Sequence, residues 1–372
     1  MRKYPILAVT GPRQSGKTTM LKTMLPGYRY VNLEDPDLRQ YAKEDPRGFL
    51  NKYDNKVVFD EVQQSPHLFS YLQSIVDDSG KMGQFILSGS QNFNLMHNIT
   101  QSLAGRVAIF KLLPFDQSEM TKAKWLSKNL SEVFTNGFYP AIFQRGISPD
   151  RYYSDYVNTY VKRDVTQLLN VQNERQFKLF IKLCAARAGS LINFNSLAKD
   201  AGISHTTARK WISVLETSYI VYMLQPYYNN YSKRIIKSPK LYFYDVGLLC
   251  HLLDIRKGKI DQTHPMWGHI FENMIVSEYQ KQNEHKTKFT DFWFWRDSHG
   301  NEIDLMYSDG KSLQTIEIKS SSTIQSRMFK GLKKFKEIAK QESLLPQTLI
   351  YGGDKNQKRT NFNIKAWSKV EL

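Results

Sequence analysis

Cysteine is scarce: Cys184 and Cys250 are the two such residues in a chain of 372. That excludes a disulfide framework, and neither has the neighbours a metal site needs. Long apolar runs are missing too. No stretch approaches the roughly 20 residues that cross a bilayer. The first apolar run, Ile6-Leu7-Ala8-Val9, stops at Thr10-Gly11, too soon for the core of a signal peptide. A reducing cytoplasm is therefore the expected compartment. Acidic residues fall short as well: 35 Asp and Glu face 52 Lys and Arg, a formal net charge of +17. Such an excess speaks of partners more than of fold, and favours a polyanion such as DNA over a basic substrate. A generally basic, solvated surface is the plainer alternative. Hydrophobic residues make up 41% of the chain, which supplies ordinary cores for about two or three domains.

The most specific stretch is Gly11-Pro12-Arg13-Gln14-Ser15-Gly16-Lys17-Thr18-Thr19. An apolar run precedes it and a helix-compatible run, Met20 to Met24, follows. Strand, glycine-bounded loop and helix form the context in which G-x-x-x-x-G-K-[ST] binds phosphate. Gly11 and Gly16 reach backbone angles closed to other residues, so successive amides turn inward as an anion nest. The opening helix aims its positive dipole end at the same phosphates. In this reading Lys17 bridges the β- and γ-phosphates of ATP and the Thr18 hydroxyl ligates Mg²⁺.

A strand at Lys56–Phe59 ends in two carboxylates, Asp60 and Glu61. Asp60 is the expected partner of the Mg²⁺ shell, and Glu61 the group that orients or deprotonates the attacking water. Another buried strand, Gln84 to Ser88, runs into Gly89-Ser90. Either Ser88 or Ser90 is a candidate donor to the γ-phosphate or its water; a simple turn explains them equally well. Arg106, ahead of the strand Val107–Phe110, is a candidate for neutralising transition-state charge in its own subunit or in a neighbour of a homo-oligomer. A surface arginine is the plainer reading.

Strands alternating with helices predict an α/β fold with a parallel sheet and a ligand at the strands' carboxyl ends, over residues 1–115. Residues 116–172 read as a helical lid interrupted by Gly137-Phe138-Tyr139-Pro140. Within it, Tyr153, Tyr156, Val157, Tyr160 and Val161 recur at helical spacing as core. Residues 173–245 read as a winged helix: Phe194 to Ala201, a turn at Gly202, then His205 to Leu215. Thr206, Thr207, Arg209 and Lys210 are candidate DNA contacts, with Lys233 and Arg234 on a basic wing. A packing module joining the two ends of the chain competes with that reading.

In residues 246–372, the strands Glu302–Tyr307 and Thr315–Lys319 carry Asp304, Glu317 and Lys319. Side chains two apart share a face, so Glu317 and Lys319 point together and Asp304 on the neighbouring strand can join them. Two carboxylates and a lysine suit metal-assisted phosphodiester cleavage. Alternation in Ile-Glu-Ile-Lys is equally what a half-exposed strand shows. On pattern alone the half-exposed strand is the better account; Glu272, on a preceding helix, and the basic run Arg327, Lys330, Lys333, Lys334 and Lys336 bring the two readings level, although a solvated helix face also explains those lysines.

Nearly the whole chain resembles the bacterial and archaeal AAA-superfamily ATPases that end in a domain of unknown function. The resemblance rests on GPRQSGKTT at Gly11–Thr19, VVFDEVQ at Val57–Gln63, FILSGS at Phe85–Ser90, SLAGR at Ser102–Arg106 and GFYP at Gly137–Pro140. It rests further on YVKRDV at Tyr160–Val165, GHIFENMIVSE at Gly268–Glu278, FWFWRDSHGNEIDLM at Phe292–Met306 and IEIKSS at Ile316–Ser321. It implies a P-loop ATPase core, a winged helix and a restriction-endonuclease-like tail. Lys17 and Thr18 then bind phosphate and Mg²⁺, Asp60 and Glu61 serve metal and water, and Arg106 is a functional arginine. Asp304, Glu317 and Lys319 match the tail motif, with Glu272 as its helix acid. The expected function is an ATPase coupled to DNA; the rival is a nucleotide-controlled switch for a protein partner.

Overall fold

Apolar runs of four or five residues are too short for buried helices, and in the computed structural model they become strands. The structure describes residues 3–90, 99, 102–161, 174–227, 238–339 and 342–372. Contacts divide the chain into two units, Met1–Pro114 with Thr217–Tyr219, and Phe115–Glu216 with Ile220–Leu372.

In the first unit, β1 (Ile6–Thr10), β2 (Arg29–Asn32), β3 (Val57–Asp60), β4 (Phe85–Ser88) and β5 (Val107–Lys111) form one parallel sheet in the order β2-β3-β4-β1-β5. Helices α1 (Lys17–Met24), α2 (Pro36–Glu44), α3 (Pro46–Lys52) and α4 (Leu68–Ser79) fall between strands. The central strands β1, β3 and β4 are buried along their length. Burial on both faces requires their nearly unbroken apolar sequence. Alternate residues feed two cores: Ile6, Ala8, Phe59 and Leu87 meet Phe69 and Leu72 of α4, whereas Leu7, Val9, Val58 and Ile86 meet Leu21 of α1. The break between α2 and α3 is local chemistry. Asp35 accepts from the amides of Asp37 and Leu38 ahead of α2, Asp45 accepts from Gly48 ahead of α3, and each helix opens on proline.

The second unit is built on eight strands in the order β12-β13-β11-β10-β9-β8-β6-β7. They are β6 (Val221–Pro226), β7 (Lys240–Phe243), β8 (Phe292–Arg296), β9 (Glu302–Ser308), β10 (Leu313–Lys319), β11 (Gln347–Tyr351), β12 (Gln357–Lys358) and β13 (Phe362–Ala366). Phe115–Glu216 and Ile220–Leu372 lie together in this unit. Gln225 of β6 pairs with Trp293 of β8, so the hairpin of the helix-turn-helix segment extends the tail's own sheet. One hydrophobic cluster also runs from Phe134 through Phe180 and Trp211 to Phe271 and Ile316. Short helices such as Leu130–Asn136 and Pro140–Gln144 place their apolar side chains in this cluster.

Tyr153, Tyr156 and Tyr160 are buried in that cluster, as their spacing demands. The Gly137–Pro140 turn proves to be an anchor. Gly137 has φ 62°, and a Cβ there would lie 2.1 Å from the Tyr153 hydroxyl. Asp245 accepts from the Phe138 amide at 2.8 Å, from the Tyr153 hydroxyl at 2.7 Å and from the Leu248 amide at 2.8 Å. Among the described residues, no helix is long and apolar enough to cross a membrane.

Candidate functional site

The five strands of the first sheet run the same way, so Thr10, Asp60 and Ser88 end along one edge of it. The loop after β1 holds three residues at positive φ: Gly11 (145°), Gln14 (60°) and Gly16 (97°). A Cβ at Gly11 would meet the Leu112 carbonyl oxygen at 2.1 Å. Gly16 is the left-handed residue from which α1 starts, which leaves the first amides of that helix aimed into the loop. Pro12 and Ser15 are buried, whereas Arg13 is half-buried and Gln14, Thr18 and Thr19 are exposed.

Lys17 is buried and curls back: its ammonium donates to the carbonyls of Gly11 at 2.9 Å and Pro12 at 2.7 Å. Burial pulls its pKa down to about 8, against the opposing pull of Glu61 and Asp60. Thr18 Oγ1 donates to Asp60 Oδ2 at 2.9 Å, and the Tyr30 hydroxyl from β2 donates to the same oxygen. Glu61 follows at φ 52° and turns back towards the loop. Its Oε2 accepts from Ser90 Oγ at 3.3 Å and from Gln63 Nε2. Burial pushes the Glu61 carboxyl above its ordinary pKa, although Lys17 draws it down. β4 lies between β3 and β1, so Ser88 sits between the acids and the loop. The hydroxyls of Ser88 and Ser15 are buried without a hydrogen-bond partner.

Orphaned buried hydroxyls cost stability unless a ligand meets them. Here they border a nest of amides, an ammonium and a hydroxyl–carboxylate pair, a donor set that fits a magnesium-bound triphosphate. Thr18 and Asp60 are the residues that could hold the metal.

Of the two roles expected for Arg106, the one in its own subunit needs correction. It precedes β5, so it stands at the amino-terminal edge of a parallel sheet whose phosphate loop is on the other edge. A five-residue strand spans about 16 Å. Arg106 forms a two-pronged pair with Asp77, at 2.5 and 2.8 Å, and donates to the Ala104 carbonyl at 3.0 Å. It does not reach the phosphate loop of its own chain.

The tail motif assembles in the second unit. The register Leu305↔Ile316 between β9 and β10 brings Asp304 beside Glu317. Lys319 Nζ lies 2.6 Å from Glu317 Oε1 and 3.2 Å from Asp304 Oδ2, which also accepts from the Ile318 amide at 2.7 Å. These groups line a cavity of about 380 Å³ whose rim carries exposed Arg327 and Lys330. Gly331 floors it: a Cβ there would sit 2.9 Å from Glu317 Oε2. Burial pushes the Glu317 carboxyl up, with Asp304 adding to the effect. Burial acts the same way on Asp304, but Lys319 and Lys240 more than offset it and hold its pKa below the ordinary value. Glu272 joins through its contacts with Lys240 Nζ at 2.9 Å and the Tyr242 hydroxyl at 2.6 Å.

The helix-turn-helix is formed by the helices Phe194–Ala201 and His205–Thr217, with Gly202 at φ 66°. Thr206, Arg209 and Lys210 are exposed and Thr207 half-buried. Ser204 Oγ accepts from the Thr207 amide and lies 2.8 Å from the hydroxyls of both threonines, so these serve the helix start. Arg209 stacks over the Phe194 ring at 4.5 Å. Lys233, Arg234 and the rest of the wing lie outside the described residues, as do residues 162–165 of the Tyr160–Val165 motif.

Four residues of these sites escaped the sequence. Glu302 was within reach, because it lies two before Asp304 on the same face of β9. Tyr30, Gln63 and Lys240 carried no signal, since each acts through a partner far along the chain or around a turn.

Comparison with known proteins adds three family matches. Residues 3–121 match a model described as an AAA domain, residues 127–259 a domain of unknown function (DUF8612), and residues 267–369 another (DUF4143). Two mycobacterial relatives, the uncharacterized proteins Rv2008c of Mycobacterium tuberculosis and Mb2031c of Mycobacterium bovis, are each 28% identical over 328 residues, 87% of this chain and 72% of theirs. Among solved structures, the Walker-type ATPase PABY2304 of Pyrococcus abyssi is similar over 67% of this chain and 91% of its own, at 12% identity and a TM-score of 0.42.

Proposed function

We propose that this chain, which carries an AAA domain at its front and a DUF4143 domain at its tail, hydrolyses ATP with Mg²⁺ and couples turnover to DNA. The observation that carries the reading is the single edge on which Lys17, the bonded Thr18–Asp60 pair, Glu61 and the unpartnered Ser88 hydroxyl meet. In this reading Lys17 leaves its loop carbonyls for the β- and γ-phosphates, an exchange of neutral acceptors for charged ones. The Ser88 hydroxyl donates to a γ-phosphate oxygen. Glu61, fixed by Ser90 and Gln63, accepts the proton of the attacking water. Mg²⁺ on Thr18 and Asp60 supplies neutralisation of the phosphate charge. The deciding experiment is ATP turnover by the full chain with Mg²⁺, set against the Lys17→Ala and Glu61→Gln proteins. Wild-type protein that neither binds nor cleaves ATP would sink the reading.

Coupling to DNA rests on the net charge of +17 and on exposed Arg209 and Lys210 at the start of the second helix. Binding should weaken steeply as salt rises, and Lys210→Ala should lower the log–log salt slope by about 1 while affecting all sequences alike. A flat salt response, with nucleotide-dependent capture of a protein partner, would favour the switch instead.

The tail pocket supports a second activity, metal-dependent phosphodiester cleavage. Glu317 lines the cavity that Arg327 and Lys330 rim, and its Oε2 is buried without a hydrogen-bond partner. Plasmid incubated with Mn²⁺ should be nicked by wild-type protein and not by Asp304→Ala; nicking by both would trace to contamination.

A further inference from the structure

The acids of the tail fall into an inner and an outer group. Glu272, Glu302 and Asp304 form the inner one: each offers an oxygen, and the three lie within 4.8 Å of one another. A divalent ion with oxygen ligands at about 2.0–2.6 Å fits that spacing. A cation from the chain itself is already there. Lys240 of β7 is 2% exposed. Its ammonium donates to Glu272 Oε1 at 2.9 Å and pairs with Glu302 Oε1. The same strand sends the Tyr242 hydroxyl to Glu272, and Arg296 meets the other oxygen of Glu302 at 3.1 Å.

A buried ammonium survives only with such partners. Glu272 and Glu302 are those partners, and they hold the ammonium from two sides. Glu317 belongs to the outer group: it lines the cavity and has a buried oxygen without a hydrogen-bond partner.

We propose that the Lys240 ammonium stands where a divalent cation would otherwise sit, between Glu272, Glu302 and Asp304, and so closes that position to metal. A consequence, which rests on the phosphodiesterase reading above, is that the pocket then takes one divalent ion, at Glu317 and Asp304, and not a pair. A phosphate-bearing ligand approaching it meets Lys319, Arg327 and Lys330. Delivery of the cation from β7 ties the pocket's metal count to the helix-turn-helix segment, whose hairpin contains that strand.

The test counts Mn²⁺ ions by titration calorimetry on the full chain without nucleotide. Asp60→Asn is present in every sample to remove the ion of the ATP site. Lys240→Met should bind one ion more than its parent. It should also lose thermal stability in EDTA and regain it in millimolar Mn²⁺. An unchanged ion count overturns the proposal. Should Lys240→Met fail to fold in EDTA, refolding in Mn²⁺ decides the matter instead: recovery supports the proposal, and no recovery overturns it. The phosphodiesterase reading is tested separately, since it requires the parent to bind an ion that Glu317→Gln loses. A parent without an ion would end that reading while a gain in Lys240→Met still stands.

Discussion

Lys17→Ala should bring ATP turnover to the limit of detection and weaken ATP binding about 30- to 5000-fold, the range expected when one partner of a buried charged pair is truncated. The substitution removes the charge that faces the phosphates and leaves the loop carbonyls of Gly11 and Pro12 without their donor. The wild-type protein carries a second signature at the same residue. Without nucleotide the ammonium titrates near pH 8, because burial disfavours the charged form. Phosphates restore it, so the nucleotide-bound state holds more protons than the free state above pH 8. ATP affinity should therefore be flat below that pH and fall, by at most tenfold per unit, above it. Calorimetry in buffers of different ionisation enthalpy reads the proton uptake directly. Lys17→Ala should show neither effect. Equal turnover in wild type and variant would remove Lys17 from the site.

Glu61→Gln separates chemistry from binding. Loss of a positioned general base costs about 10²- to 10⁴-fold in rate, and the amide keeps the hydrogen-bonding shape that Ser90 and Gln63 meet. Turnover should fall by that factor while ATP affinity stays within about threefold, as read by a fluorescent nucleotide analogue. The pH profile checks the assignment independently. Burial raises the Glu61 pKa, so wild-type turnover should decline with acidification at a pH above the ordinary carboxylate range. In Glu61→Gln that decline should vanish with the group that titrates. Turnover preserved within about threefold would mean that another residue prepares the water.

Much of the first sheet was legible because its evidence is local. Strand length, the glycine-bounded loop and the acid pair at a strand end each occupy fewer than ten residues, and burial on both faces leaves an unbroken apolar run. Asp304, Glu317 and Lys319 were legible for a similar reason, since period 2 on adjacent strands fixes which side chains share a face. Arg106 shows the limit. The residues around it are the same whether the loop lies at the near or the far edge, and only parallel pairing with β1 puts the arginine at the end away from its own chain's loop.

The pairing of β6 with β8 also escaped the sequence. Helix-turn-helix and tail strands each have clear local patterns, yet no local pattern says that β6 pairs with β8 across about 68 residues. Lys240, which β7 sets beside Leu224 of β6, meets Glu272 and Glu302 only in the folded unit.

Sequence alone determined where phosphate, metal and water chemistry could be housed, since backbone freedom at Gly11 and Gly16 and the order of polar residues at strand ends are written residue by residue. Tertiary structure decided which charges meet: Tyr30 with Asp60, Lys240 with Glu272 and Glu302, and Arg106 with Asp77. The physical reason is range. Backbone preference and periodicity act within a few residues of the chain, whereas the Coulomb and desolvation energies that set these pairs depend on distance in space.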